Sequence, residues 1–199
     1  MVLTKSEKTK QAIIEKAAPI FNKKGYSATS MSDLITATGL TKGGIYGNFE
    51  SKDEIALEAF DFALNKVKTA LRIAIQEETT STGKLHAILN FYHNYSTEPV
   101  VEGGCPVLNT AIDADDAIPF LKEKASQGMK DMLLTLRTII EKGIKYNEFK
   151  ETLHAANEAE LMFAAIEGGI MMSKLTENPA TLNRILEHLK QQVELRFRK

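Results

Sequence analysis

The chain has 199 residues, of which 43% are hydrophobic and 26% charged, and its formal net charge is −1. This composition excludes a disordered or collagen-like chain, and the single cysteine, Cys105, excludes an intramolecular disulfide. No apolar stretch approaches the roughly 18 residues that span a bilayer, and the polar segment Met1–Lys10 does not look like a secretory signal. We therefore expect a cytoplasmic protein with no membrane partner.

Helical spacing of apolar residues dominates the chain, and alternating strand patterns are nearly absent, so the predicted fold class is all-α. The first predicted helix runs from Ser6 to Lys24, and Gly25 provides a stop at its end. Pro19 lies inside this helix and predicts a local kink or a lost hydrogen bond.

Two short helical segments follow, from Ser30 to about Ala37 and from Thr41 to about Phe49, with Gly39 in the turn between them. Two short helices joined by a glycine turn behind a longer helix are typical of a helix-turn-helix. We expect Leu34, Leu40, Ile45 and Phe49 to hold the pair together. The polar residues left outside suit DNA phosphates and base edges; they are Thr29, Ser30, Thr41, Lys42, Gly43, Tyr46, Asn48 and Lys52. A short, poorly formed connector is the alternative interpretation of this segment.

The charge is unevenly divided along the chain. Residues 1–52 hold eight Lys/Arg and four Asp/Glu, which gives +4, whereas residues 53–199 hold 17 and 22, which gives −5. The near-neutral total therefore conceals a basic N-terminal part, and the sum does not exclude nucleic-acid binding.

The rest of the chain predicts further helices. Ser51 caps a long one, and others cover about Lys84 to Ser96, Pro119 to Tyr146, Leu153 to Leu175 and Pro179 to Phe197, with Asn147 in a left-handed position. We expect residues 1–50 to form the helix-turn-helix domain and residues 51–199 a second, helical domain. Three aspartates, Asp113, Asp115 and Asp116, are interpreted as a solvated turn.

Three segments closely resemble the TetR family of transcriptional regulators: Gly25–Met31, Thr38–Tyr46 and Asn48–Glu54. The resemblance is specific over about Lys5 to Phe60 and looser beyond. It implies a dimeric repressor that binds a palindromic double-stranded DNA operator and responds to an unknown small-molecule effector. It also implies that residues 51–199 form the effector-binding and dimerisation domain. It also implies that Thr41–Phe49 is the recognition helix, that Tyr46 contacts the DNA backbone and a thymine methyl, and that Thr29, Ser30 and Lys52 contact phosphates.

The sequence departs from the family pattern at three positions. Ile35 and Thr38 stand where alanine is usual, and both concern helix packing. Asn48 stands where histidine is common; its amide could bond an adenine edge or a phosphate.

A helix start is predicted at Cys105, with Pro106 at the first helical position. A thiol at such a position is favoured as the reactive thiolate, so Cys105 is a candidate sensor; the alternative is a small apolar core residue. Tyr92, Phe163 and Glu167 are candidates for an effector pocket between helices.

No cofactor or metal site is predicted: His86 and His93 share a helical face, and His154 could join them, but ordinary solvated or hydrogen-bonded histidines are the preferred interpretation. The sequence contains no recognisable set of catalytic residues, so an enzyme is not expected.

The last two helices carry apolar stripes that favour a dimer interface, and the resemblance implies a four-helix bundle between two copies. Its predicted members are Leu161, Ala165, Gly168, Gly169, Met172, Leu182, Ile185, Leu186, Leu189 and Val193. A role confined to the core of one chain is the alternative. A helical small-molecule-binding protein without DNA-binding activity is the competing function.

Overall fold

The computed structural model describes residues 4–199, and over that range the chain is all-α, as predicted. A single bridge between Phe149 and Arg198 is the one β-type pairing recorded outside the helices of the described chain. The elements are α1 (Lys5–Ala28), α2 (Met31–Thr38), α3 (Lys42–Tyr46), α4 (Lys52–Gln76), α5 (Ser81–Phe91), α6 (Pro106–Ala114), α7 (Pro119–Lys145), α8 (Ala155–Leu175), α9 (Pro179–Gln192) and a π-helical turn (Val193–Phe197).

The chain divides into two compact units. The first holds the residues up to Val67 together with Val101–Gln127, and the second holds Lys68–Val100 and Gly128–Lys199. The boundary predicted at residue 50 therefore does not separate them. The reason is that α6 is bonded to α1: the Asn109 amide donates to the Asn22 carbonyl at 2.9 Å, and Asp113 accepts the Tyr26 N–H at 2.6 Å.

Helix α1 is the long helix that supports the first unit. Thr4 caps it reciprocally with Glu7, and its apolar face buries Ile13 and Ala17. The regular helix breaks at Gly25, as predicted, where φ is 78°. Among the residues of α1, Gly25 is the one with non-helical dihedral angles, so the kink expected at Pro19 does not appear as a break in the backbone.

Long-range bonds near Glu148 organise the second unit. The Glu148 carboxylate accepts the N–H groups of Ser81 at 2.9 Å and Thr82 at 3.1 Å, which satisfies two donors at the start of α5. Beside it, Asn147 takes the predicted left-handed conformation, with φ 67°, and ends α7. The rings of Phe149 and Phe197 pack edge to face, 5.9 Å apart, so the C-terminal turn closes over the α7–α8 connection.

The remaining helix ends differ modestly from the predicted ones. Helix α5 begins at Ser81, before the predicted Lys84, because Thr80 caps it by accepting the N–H of Gly83. It ends at Phe91, before the predicted Ser96. Helix α9 ends at Gln192, and the π-helical turn covers the rest of the predicted span. Within residues 4–199, no helix is both long and apolar enough to cross a membrane.

Candidate nucleic-acid interface

Local capping defines the two short helices of the candidate interface. Ser30 caps α2 and bonds reciprocally with Asp33, and Thr41 caps α3 by accepting the N–H of Gly44 at 3.1 Å. Gly39 turns the chain between them with φ 71°, a conformation that costs other residues about 1–2 kcal/mol. These are the positions that the sequence pattern predicted, because caps and turns depend on neighbouring residues.

Apolar side chains hold α2 and α3 together, and α2 packs on α1. Leu34 and Ile45 are fully buried, Phe49 is nearly so, and Leu40 is half-buried. Burial of each such side chain stabilises the unit by about 1.5–3 kcal/mol. Because α3 has only five residues, this packing, rather than helix propensity, fixes its orientation.

The outer face of α3 is open to solvent. Thr41, Lys42 and Gly43 are exposed, and 43% of Tyr46 is accessible. The Lys42 Nζ lies 5.9 Å from the centre of the Tyr46 ring. Apart from the neighbouring residues and backbone of α3 itself, nothing lies within 4 Å of the position that a Cβ of Gly43 would occupy. A backbone phosphate or a base edge can therefore approach the α3 main chain here.

Asn48 sits at the end of α3 with its amide already bonded. Its Nδ2 donates to the Gly44 carbonyl at 2.9 Å, and its Oδ1 accepts from the Ser6 hydroxyl at 3.4 Å. The side chain therefore closes α3 and ties it to the start of α1. The amide nitrogen has two hydrogens and the oxygen two lone pairs, so one donor and one acceptor position of Asn48 remain for DNA.

Lys52 bonds to the protein's own backbone. Its Nζ donates to the carbonyls of Tyr26 at 2.9 Å and Thr29 at 2.8 Å, and it lies 4.0 Å from the centre of the Tyr26 ring. These contacts fasten the start of α4 to the end of α1. An ammonium has three donors, so one remains for a phosphate.

The structure contradicts the expectation that the Thr29 side chain contacts phosphate. Thr29 is 1% exposed, and its hydroxyl donates to the Gly25 carbonyl at 2.6 Å. Ser30 is exposed, but its hydroxyl both accepts the Asp33 N–H and donates to the Asp33 carboxylate. The break at Gly25 turns the chain so that Thr29 points inward, which periodicity alone does not show.

Two electrostatic features of this region escaped sequence reasoning. The Lys24 ammonium and the bonds from Ser30 hold the pKa of Asp33 well below its usual range. Burial, with the Asp53 carboxylate beside it, raises the pKa of Tyr26 to about 12. The polar character of Tyr26 and Asp53 was visible in the sequence, but their pairing was not.

A small cavity of about 30 Å³ lies within the first unit between α1, α4, α6 and α7, with Phe21, Tyr26 and Asp113 in its lining. It has room for about one water molecule. The sequence predicted that Asp113 lies in a solvated turn. This is wrong, because Asp113 belongs to α6 and its carboxylate accepts the Tyr26 N–H.

The effector candidates fall into different units. Cys105 lies in the first unit at the predicted start of α6, with Pro106 next to it, and is 5% exposed. Tyr92, Phe163 and Glu167 lie in the second. Tyr92 and Glu167 are buried there, and Tyr92 packs 5.0 Å from Phe91, centre to centre.

The histidines do not assemble into a metal site. His86 Nε2 lies 3.3 Å from a Glu194 carboxylate oxygen, and His154 caps α8. Among residues 4–199, no group of three or more potential ligands is arranged to hold a metal ion.

The predicted dimer stripe splits into an inner and an outer set. Five of its residues are buried inside the second unit and offer little or no surface to another copy: Gly169, Leu182, Leu186, Leu189 and Val193. Helix α9 packs on α8, with Leu182 against Gly169. Burial within one chain is the core role that the alternative interpretation assigned. Leu161 and Met172 are exposed, and Ala165, Gly168 and Ile185 are half-exposed. The predicted stripe did not include Leu175 and Leu195, which are exposed. Each of these helices has apolar residues on more than one face, and the sequence does not show which face is covered.

Comparison with known proteins gives matches along most of the chain. Residues 13–59 match the model for bacterial regulatory proteins of the tetR family, and residues 81–189 match the tetracyclin repressor-like C-terminal domain.

Solved TetR-family regulators share the whole fold. One from Chloroflexus aurantiacus is 35% identical, with a TM-score of 0.95, covering 98% of this chain and 99% of that one. Another from Cytophaga hutchinsonii is 38% identical, with a TM-score of 0.92 and complete coverage of both chains.

A curated HTH-type transcriptional regulator of Lactococcus lactis is 27% identical over 94% of this chain and 93% of its own length. Similarity to regulators over the full length does not favour the competing hypothesis of a small-molecule binder without DNA-binding activity. The chain belongs to the TetR family of bacterial transcriptional regulators and is a DNA-binding transcriptional regulator.

Proposed function

We propose that the protein is a cytoplasmic, homodimeric repressor that binds a palindromic double-stranded operator and leaves it when a small-molecule effector binds. The observation that carries this proposal is the exposed face of α3, where Lys42, Gly43 and Tyr46 surround an accessible helix backbone. The rigid packing beneath it, through Leu34 and Ile45, presents that face in one orientation.

Each exposed group of α3 has a distinct role in this proposal. Lys42 neutralises a phosphate, and Thr41 lies at the helix start, where N–H groups favour phosphate oxygens. Tyr46 contacts the backbone and a thymine methyl in the major groove. Lys52 faces a flanking phosphate with its remaining donor. Ser30 is exposed nearby, and its hydroxyl contacts a phosphate by exchanging its bond to the Asp33 carboxylate.

Operator binding by two copies requires a dimer interface, which we assign to the outer face of α8. Leu161, Met172 and Leu175 are exposed there at helical spacing, and the half-exposed Ala165 and Gly168 permit close approach of a second helix. Dimers of this kind place their recognition helices in half-sites about 34 Å apart.

A matched pair of substitutions tests the interface. Leu161→Glu should shift the protein toward monomer in sedimentation velocity, because it buries a charge at the contact. Leu134→Glu on α7 is the control, since Leu134 and Leu161 are both 61% exposed. Equal dimer populations in the two variants would exclude this face.

Effector release follows from the two-copy geometry. A ligand held in the second unit near Tyr92, Phe163 and Glu167 would change the spacing of the two recognition helices, and a shift of a few ångströms uncouples them from their half-sites. Modification of Cys105 is the second candidate trigger, supported by its place at the start of α6. Fully alkylated protein with unchanged operator affinity would exclude the thiol route.

Operator selection from random DNA, followed by anisotropy titrations over a salt series, tests DNA binding directly. Lys42→Ala should weaken binding and reduce the log–log salt slope by about 0.9 for each phosphate that is no longer neutralised, hence about 1.8 per dimer. Lys130→Ala removes an exposed charge from the second unit and should leave the slope unchanged. A salt-independent wild-type affinity would contradict the proposal.

A further inference from the structure

A second cationic surface lies on the first unit, outside the face of α3. A groove of about 300 Å³ runs between the N-terminal half of α1 and the turn that leads into α3. Lys5, Lys8 and Lys16 line it with Thr9, Ala12, Ile13, Thr38 and Leu40. We call it the lysine groove.

The lysines in this groove differ from the other lysines of α1 in their partners. Three of the six in α1 are neutralised by carboxylates: Lys10 by Glu54 and Glu58, Lys23 by Glu102, and Lys24 by Asp33. The other three are the lysines of the groove, and no ion pair to a carboxylate is found for them within residues 4–199.

Solvent exposure leaves these charges available to a ligand. Lys5, Lys8 and Lys16 are all exposed. Lys16 donates to the neutral carbonyl of Thr38 at 3.3 Å, which keeps it on the groove wall without cancelling its charge. The groove therefore concentrates positive charge that the protein itself does not compensate.

The lysine groove adjoins the recognition helix at both of its ends. Thr38 and Leu40 belong to the turn before α3, and Ser6, beside Lys5, bonds to Asn48 after α3. A duplex that receives α3 in its major groove therefore has its flanking backbone next to this surface.

We propose that the lysine groove binds the phosphate backbone of DNA flanking the bases that α3 contacts. This inference rests on the DNA binding proposed above, and it adds Lys5, Lys8 and Lys16 to the interface. Lys5 and Lys16 are eleven residues apart, about 16 Å along a helix, and one DNA strand carries a phosphate about every 3.4 Å of axis. The groove thus spans several phosphates.

The double substitution Lys5→Ala/Lys8→Ala tests the proposal on the selected operator. Both side chains are exposed and alanine favours helix, so the variant should keep the wild-type fold. Removing two lysine–phosphate pairs per protomer should reduce the log–log salt slope of the dimer by about 3.6. Affinity at low salt should fall at least tenfold.

Lys130→Ala/Lys142→Ala is the matched control, because it removes the same charge from exposed positions in the second unit. The control should retain the wild-type slope. An equal loss of slope in both variants would show a general charge effect and overturn the proposal, as would an unchanged slope in the groove variant.

Binding to operator duplexes of two lengths distinguishes the contribution of the lysine groove from that of the recognition helix. Two duplexes are compared: one ends at the half-sites, and the other extends one turn, about 10 base pairs, beyond each half-site. Wild-type protein should bind the longer duplex more tightly. The groove variant should not distinguish the two. Wild-type binding that ignores duplex length overturns the groove proposal alone, whereas failure to select any operator overturns the proposed function as well.

Discussion

Replacement of Lys52 separates a structural role from a DNA-contacting one. In Lys52→Met the apolar stem remains, but the bonds to the carbonyls of Tyr26 and Thr29 are removed, together with the ammonium over the Tyr26 ring. Hydrogen bonds to a charged group contribute about 1.5–3 kcal/mol when buried, and an exposed cation–π contact about 0.5–1 kcal/mol. Lys52 is half-buried, so water partly replaces these bonds, and we expect a loss of about 2–3 kcal/mol.

Urea unfolding of wild type and Lys52→Met measures this loss as a lower transition midpoint at constant slope. Lys66→Met is the control, because Lys66 lies on the same helix and also stacks on an aromatic ring, Phe62, without bonding to backbone carbonyls. An unchanged midpoint for Lys52→Met would refute the structural role. Operator titrations then report the phosphate contact as a separate reduction in salt slope.

Two further predictions concern buried bonds. Thr29→Val should destabilise the protein by about 1–3 kcal/mol, because the Gly25 carbonyl loses its donor. Urea unfolding measures this loss. A reduced salt slope of operator binding in Thr29→Val would contradict burial of the side chain. Burial by itself raises the pKa of Glu148, but the N–H groups of Ser81 and Thr82 bond its carboxylate and hold the pKa below its ordinary value of 4.5. The resulting stabilisation is present above pH 4.5 and disappears as the pH falls through the folded-state pKa. The difference in thermal midpoint between wild type and Glu148→Gln should therefore narrow on acidification, and a constant difference would contradict the assignment.

The local features of the interface could be predicted from sequence because they depend on residues within one turn of each other. Ser30 with Asp33, and Thr41 before α3, are caps in which the side chain bonds an N–H three residues ahead. Gly39 adopts the left-handed conformation that the turn requires. The family motifs lie in this same segment, so the resemblance and the local physical chemistry agree.

The candidate site could be predicted only in part, because contact with DNA depends on which way each side chain points. Thr29 and Ser30 are adjacent, yet the first is buried and the second exposed. Lys52 was predicted from its charge, but its bonds reach residues 23 and 26 positions earlier. Lys5 and Lys8 were missed, since an unpaired lysine and a paired one look alike in a sequence.

By itself, the sequence determined the all-α class, the helix-turn-helix, the family and the basic character of residues 1–52. These follow from helical period, capping residues, motifs and charge, all of which are readable along the chain. The tertiary structure decided that α6 joins the first unit and which lysines of α1 are neutralised. It also decided that Leu182 and Leu186 of α9 are buried while Leu161 of α8 stays exposed. Periodicity shows which residues share a face of a helix, whereas the element that covers that face is set by long-range packing.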